Sequence, residues 1–415
     1  MDSYWPRLID PKLQKLITNF PAVMINGARA IGKTTTAKEY VTEIAQLDIP
    51  GTAAAFRANP DAALQRYGRP LLIDEWQEVP EIMGAIKRAV DLDSAPGQFI
   101  LTGSNSVSTK DKTWPGTGRI VREKMYGLSQ REVQNPDSLR GPGLIEKIIS
   151  RSFADIAVPK KKATINDYVE MALQSGFPHL NFQKGSNEIR EIWLESYIDE
   201  LVTRDVRTIG ERRNSEKIRK YLTANAIQSA TSTSDNTLYD LVKINSKTAS
   251  DYDDILIDLC ILEKLPPWSE NLLKHIALTP KRYLLDTGIM GSVADLNVDS
   301  IINDDKLCGN LFDTFSVAQI RPEVFHNLNS AKMFHLRTNG GRHEVDLMVK
   351  LENNKILAFE FKAGSSPTDS DAKHLNWLRE EIGERLIAGI VLHTGSSIYE
   401  LDNRIYAIPL SSFWA

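Results

Sequence analysis

The sequence predicts a multidomain α/β protein whose N-terminal domain is a mainly parallel sheet with covering helices, built around a phosphate-binding loop. Three observations predict it. An apolar strand, Ala22-Val23-Met24-Ile25, runs into Gly27-Ala28-Arg29-Ala30-Ile31-Gly32-Lys33-Thr34, which satisfies G-x-x-x-x-G-K-[ST] and leads through Thr35 into a helix-like segment. Two more strand candidates, 70–73 and 98–102, are separated by helical patterns, and such alternation predicts parallel strands with helices on their faces. Finally, 415 residues exceed one ordinary core, so two or three domains are expected.

The bulk numbers narrow the class. Hydrophobic residues at 42% and charged residues at 25% exclude disordered, fibrous and disulfide-scaffold chains. A net charge of −4 gives no overall basic footprint, so nucleic-acid contact would need a local patch. Cys260 and Cys308 stand far apart without flanking Cys or His, which argues against a zinc site or disulfide framework and fits a reducing cytoplasm. The acidic, proline-interrupted start is unlike a secretory signal, and no stretch is long and apolar enough to span a membrane.

Along the chain, residues 8–20 read as a short helix before the first strand. Looser composition from about 136 to 165, with Gly141-Pro142-Gly143 and Lys160-Lys161-Lys162, marks a connector, so the first domain is placed at 1–135. Residues 136–300 read as connector plus a largely helical domain, with amphipathic runs near 168–173, 189–202 and 218–227. Residues 301–415 read as a third, α/β unit: an apolar helix around Leu311, Phe312, Phe315 and Val317, strands at 344–351 and 355–363, then a helix containing Trp377.

The loop chemistry is specific. Glycines and small residues let backbone N–H groups of Gly27, Ala28, Arg29, Ala30, Ile31 and Gly32 converge on phosphate oxygens; Lys33 adds a charge, and Thr34 a hydroxyl for Mg²⁺. Leu71-Leu72-Ile73-Asp74-Glu75 ends an apolar strand in two carboxylates, Asp74 for Mg²⁺ and Glu75 as general base toward water. Taken alone, an acidic pair after a strand is more often a solvated loop; beside a phosphate loop it reads as a Walker B motif. The strand ending Thr102-Gly103-Ser104-Asn105 offers Asn105 to hold water or γ-phosphate, a simple turn being the alternative. Arg119 offers a guanidinium to stabilise transition-state charge in cis or in a neighbouring subunit of a homo-oligomer, against the plainer reading of surface solvation.

In the middle domain, Arg204, Arg207, Arg212, Arg213, Lys217, Arg219 and Lys220 form a local basic stretch that reads first as a solvated helical face. Ser232–Lys243 and Ser246–Leu259 have the caps of a helix-turn-helix, which offers a DNA contact but is equally common in helical domains that bind nothing. Near the C-terminus, Asp346 lies on the strand face opposite Val345, Leu347 and Val349, while Glu360 and Lys362 share a face two residues apart. Asp followed by Glu-x-Lys suits metal-assisted phosphodiester hydrolysis, with Asp346 and Glu360 as metal ligands, Lys362 orienting water, and Asp313 adding an oxygen from the preceding helix. A hairpin with a polar outer face is the alternative.

With GARAIGKT at 27–34, LLIDEWQEVP at 71–80, LTGSNS at 101–106, TRDV at 203–206 and KRYLLDTG at 281–288 in view, the chain resembles a prokaryotic family of AAA-type ATPases. These carry a C-terminal domain of unknown function related to PD-(D/E)XK nucleases. The resemblance implies an AAA-like module, a helical or winged-helix middle, and a restriction-endonuclease-like end; Asp313 stands where the family more often has glutamate. The expected activity is Mg²⁺-dependent binding and hydrolysis of ATP, associated with DNA or another nucleic acid, with a nuclease-like output gated by nucleotide. The competing expectation is a nucleotide-dependent switch whose nuclease-like domain is a silent binding platform.

Overall fold

The computed structural model describes residues 4–103, 117–182, 186–205, 215–269 and 279–415. After α1 (Asp10–Ile17) come β1 (Ala22–Asn26), α2 (Lys33–Lys38), β2 (Glu43–Gln46), β3 (Leu71–Asp74), α3 (Ile82–Leu92), β4 (Phe99–Thr102) and β5 (Ile120–Lys124). The five strands are parallel, in the order β2-β3-β4-β1-β5. Because β1, β3 and β4 are covered on both faces, they read as continuous apolar runs rather than alternating ones. Val23, Ile25, Leu72 and Ile100 pack toward Leu13 and Ile17 of α1. Met24, Ile73 and Leu101 pack on the other face toward Ile82, Ile86 and Val90 of α3. Parallel strands end at one edge, so Asn26, Asp74 and Thr102 meet there.

The expected connector is more structured than its composition suggests. It follows α4 (Gln130–Gln134) and holds α5 (Leu144–Ile149), whose Leu144, Ile145 and Ile148 are buried. The Gly141-Pro142-Gly143 turn that reads as a linker caps this helix, with Gly143 N–H donating to Glu146 at 2.9 Å. Glu323, from the C-terminal domain, accepts from the Ile145 N–H at 3.2 Å and from Arg131 Nη1 at 3.0 Å, so the segment is fastened at both ends.

The middle consists of α6 (Ile165–Gln174), α7 (Asn187–Glu200), α8 (Ser215–Ile227), α9 (Asp235–Val242) and α10 (Ser246–Asp258). An antiparallel pair follows, β6 (Leu262–Leu265) and β7 (Lys281–Leu284), and then α11 (Thr287–Val293). The capping signals at α9 and α10 are real: Ser234 and Asn245 accept from the N–H groups of Thr237 and Thr248.

The C-terminal part comprises α12 (Asp305–Asn327), β8 (Lys332–Arg337), β9 (Glu344–Lys350), β10 (Ile356–Lys362), α13 (Lys373–Ile382), β11 (Leu386–His393), β12 (Tyr399–Asp402) and β13 (Ile405–Pro409). They form one mixed sheet in the order β12-β13-β11-β10-β9-β8. Phe312 and Phe315 of α12 share a core with Leu357, Phe359 and Phe361, while Leu375 and Leu378 of α13 share another with Ile356 and Val391. One apolar core runs from Leu13 through Tyr221 and Tyr252 to Leu392 and Trp414, so all three parts pack together. No helix among the described residues is long and apolar enough to cross a membrane.

Candidate functional site

The phosphate loop turns through three left-handed residues: Gly27 (φ 155°), Ala30 (φ 60°) and Gly32 (φ 95°). A Cβ on Gly27 would lie 2.5 Å from the Met125 carbonyl oxygen, so the close approach of the loop to the end of β5 requires glycine. Buried Arg7 clamps the same loop. Its Nη1 donates to the Ile31 carbonyl at 2.9 Å, its Nη2 to the Tyr126 carbonyl at 2.8 Å, and its Nε to Glu132 at 2.9 Å. Arg7 carries no motif, and sequence reasoning missed it; an arginine next to an apolar helix start gives no signal of what it will span.

Lys33 Nζ donates to the carbonyls of Gly27 and Ala28, at 3.0 and 2.7 Å. Burial lowers its pKa, opposed by the negative fields of Glu75 and Asp74. Thr34 Oγ1 donates to Asp74 Oδ1 at 2.8 Å, and Thr102 Oγ1 donates to the same oxygen at 2.5 Å. The register Asp74↔Thr102 makes this possible, which identifies Thr102 as a further site residue. A hydroxyl beside a carboxylate at the strand edge suits Mg²⁺, which takes one or two protein oxygens and completes its shell from phosphates and water. Glu75 sits at φ 53° just past β3 and accepts a hydrogen bond from Gln77 Nε2. Gly103 leaves room for that arrangement, since a Cβ there would lie 2.2 Å from Gln77 Oε1. Asn105 lies outside the described residues.

Arg119 corrects one expectation. It immediately precedes β5, where Ile120 pairs with Ala22, the first residue of β1, whereas the loop follows the last. Four strand steps, about 13 Å, separate those ends, and Arg119 pairs with Asp91 at 2.9 Å. This position and the half-exposed ion pair with Asp91 fit the plainer reading of surface solvation better than a catalytic role in cis.

The C-terminal residues do converge. Asp346 Oδ1 accepts from Lys281 Nζ at 2.9 Å, Asp346 Oδ2 accepts from the Phe361 N–H at 3.2 Å, and the buried Glu360 carboxyl lies within the field of Asp346. Lys362 lies 4.0 Å from Glu360, and Lys281 lies 4.0 Å from Glu344. Desolvation, then the Asp346 charge, pushes Glu360 well above the ordinary carboxylate range, and the same causes push Asp313 up. Desolvation pushes Asp346 upward too, but the Lys281 ammonium beside it holds it below its usual value. The directions are opposite, so of the two carboxyls Glu360 favours its neutral form and Asp346 its charged one. Among the described residues no three His, Cys, Asp or Glu side chains are placed to hold a metal ion. The metal trio Asp313, Asp346 and Glu360 is therefore not assembled in this arrangement. A desolvated carboxylate needs a countercharge, and here Lys281 supplies it.

Lys281 is the main residue that sequence reasoning missed. It sits at the start of β7, and two residues beyond the end of that strand Asp286, which caps α11, accepts from Gly176 N–H at 2.7 Å, Ser175 Oγ at 2.9 Å and Ile289 N–H at 3.0 Å. A small cavity of about 30 Å³ there brings Ala28 and Ile31 of the phosphate loop against Cys260, Ile261 and Asp286. The four-residue strand β7 and the two residues after it thus run from the acid cluster to the cavity beside the loop.

The basic stretch in the middle domain lies partly outside the described residues. Of the rest, Arg219 pairs with Asp199 and Lys220 with Glu216, as on a solvated face. Asp253 of α10 is buried against Arg282 at 2.5 Å and Lys264 at 2.6 Å.

This fold and loop define the N-terminal part as an AAA-type P-loop ATPase domain. Residues 19–134 match the family described as an AAA domain; residues 165–300 and 308–413 each match a domain of unknown function, DUF8612 and DUF4143. Two curated relatives, uncharacterized proteins Rv2008c of Mycobacterium tuberculosis and Mb2031c of Mycobacterium bovis, are each 24% identical over 403 residues, covering 96% of this chain and 82% of theirs. Among solved structures, the Walker-type ATPase PABY2304 of Pyrococcus abyssi aligns with a TM-score of 0.43 at 14% identity, covering 70% of this chain and 96% of that one. A RuvB T158V structure from Thermotoga maritima aligns with a TM-score of 0.29 at 17% identity, covering 65% and 94%.

Proposed function

We propose that this chain is a Mg²⁺-dependent, nucleic-acid-associated ATPase whose nucleotide state is passed along β7 to a nuclease-like C-terminal site, held shut here by Lys281. The observation that carries this reading is the short path through β7: Leu285 and Asp286, just past the strand, line one cavity with Ala28 and Ile31 of the phosphate loop, and the first residue of the strand, Lys281, pairs with Asp346. Bound ATP with Mg²⁺ supplies the phosphoryl group and neutralises its charge. Thr34 and Asp74 hold the ion, Lys33 moves its ammonium from the loop carbonyls to phosphate, and Glu75 accepts the proton of the attacking water. Thr102 keeps Asp74 oriented. At the far end, withdrawal of Lys281 would leave the Asp346 carboxylate without its countercharge, and a divalent cation held there by Asp346, Glu360 and Asp313 would displace the protons of the two neutral acids, with Lys362 beside them. The order of α12, β8, β9, β10, α13 and β11, with the acids on β9 and β10, supports a restriction-endonuclease-like reading of this domain.

One observation favours a second reading, a nucleotide switch with a silent C-terminal platform: Asp346 already has a full ion pair. The test is ATP hydrolysis with and without single-stranded and duplex DNA, scoring cleavage in parallel, for wild type, Lys33→Ala and Glu360→Ala. Stimulated hydrolysis lost in Lys33→Ala, with cleavage lost in Glu360→Ala, supports the gated nuclease. Hydrolysis indifferent to nucleic acid, without cleavage, overturns it in favour of the switch.

A further inference from the structure

A groove of about 860 Å³ lies where β6 and the segment after it meet the free side of β8, at the opposite end of β9 from Asp346. The segment after β6 closes on β8 at one point only, with Trp268 N–H donating to the His335 carbonyl at 2.6 Å and His335 N–H to the Pro266 carbonyl at 3.0 Å. Beyond that point the groove is walled by Trp268 and Phe334 and flanked by Lys332, Lys350, Lys264 and Arg385.

The charge arrangement is unusual for a resting surface. Lys332 of β8 and Lys350 of β9 are directly opposite each other in the antiparallel register. Like charges in that position repel, and neither lysine forms an ion pair among the described residues. Among the described residues the single acid lining the groove, Glu263, is committed to Arg321 at 2.7 Å. Lys264 shares Asp253 with Arg282, so that carboxylate is divided between two cations. The groove thus has a surplus of positive charge beside two half-buried aromatic rings.

We propose that this groove binds a single strand of nucleic acid, with phosphates between Lys332 and Lys350 and a base stacked on Trp268. The inference deepens the proposed nucleic-acid association and rests on it. A phosphate between the two lysines turns their repulsion into shared attraction. An indole face accepts any base, so binding tolerates sequence and depends on salt. An acidic peptide would satisfy the lysines but gains nothing from a stacking platform, so the strand is favoured.

The test is fluorescence anisotropy with a labelled oligothymidylate on the full chain, for wild type, Lys332→Gln/Lys350→Gln and Trp268→Ala, with polyglutamate as competitor. The expected result is at least tenfold weaker binding for each variant. For the lysine pair, the slope of log affinity against log salt becomes shallower by about 1.4, two phosphates at about 0.7 each. Hydrolysis of ATP without DNA by the lysine variant should equal wild type, which shows that the variant is folded. Wild-type affinity retained in both variants overturns the groove while leaving nucleic-acid association intact. No binding by wild type overturns the association and the groove together, without touching ATP hydrolysis. Polyglutamate displacing the oligonucleotide at equal charge concentration, with Trp268→Ala unaffected, assigns the groove to acidic peptides and overturns the proposal.

Discussion

Replacing Lys281 with methionine removes the only ammonium within 3 Å of Asp346 among the described residues while preserving most of the apolar stem. The lysine side chain is 2% exposed and that of Asp346 is 16% exposed, so the remaining carboxylate keeps little water. Removing one partner of such a pair costs about 3–5 kcal/mol, because the other is left as an uncompensated charge. Since about 1.4 kcal/mol is a factor of ten, local opening at β9 should rise by roughly two to nearly four powers of ten. Hydrogen exchange resolved to peptides covering 281–286 and 344–350 reads this locally, which matters because a chain of several domains has no single unfolding free energy. Adding Asp346→Asn to Lys281→Met removes the orphaned charge and should recover most of the protection. Exchange at 344–350 within threefold of wild type in the single variant would refute the claim that Lys281 holds the cluster shut.

Four other outcomes follow from the same geometry. Lys33→Ala should abolish ATP hydrolysis, and Thr102→Val should reduce it by loosening Asp74, both read by steady-state phosphate release. Glu360→Gln tests the proton assignment. The folded-state pKa of Glu360 is raised by desolvation above its ordinary value of 4.5, so its stabilising share is full below that pH and is lost as pH rises through the folded value. The Tm of Glu360→Gln relative to wild type should therefore climb from pH 5 to pH 9, and a fall would contradict the assignment. Arg131→Met should loosen the segment locally by about 3–5 kcal/mol by orphaning buried Glu323, with recovery on adding Glu323→Gln, measured by hydrogen exchange in peptides covering 130–149 and 319–327. Arg119→Ala should leave the hydrolysis rate of dilute protein unchanged, because its place at the far end of β1 keeps it from the loop of its own chain.

The phosphate site was legible because its parts are contiguous or fall at strand ends. A glycine loop after an apolar strand and a carboxylate after another must meet when the strands are parallel, and Thr34, Asp74 and Thr102 do. Asp346, Glu360 and Lys362 were legible for the same reason, since the two-residue period of strands places them on shared faces. What stayed hidden depends on distant packing. Arg7 reaches Ile31, Tyr126 and Glu132, and Lys281 reaches Asp346 across 65 positions of sequence. A lysine in an apolar strand signals only that some countercharge exists. The helix inside the connector stayed hidden because glycine and proline mark turns equally well in linkers and in caps, and only the buried Ile145 and Ile148 distinguish the two. Nothing in the sequence around Arg119 tells which end of the sheet it lies at, so its distance from the loop emerged only from the register of β5 on β1.

The most direct test of coupling between the nucleotide site and the acid cluster is hydrogen exchange across 281–286 and 344–350 with and without Mg²⁺ and a non-hydrolysable ATP analogue, in wild type and Lys33→Ala. Faster exchange at both segments on nucleotide addition, absent in Lys33→Ala, is the predicted result. Protection confined to the phosphate loop, with no change in β7 or β9, would contradict the account.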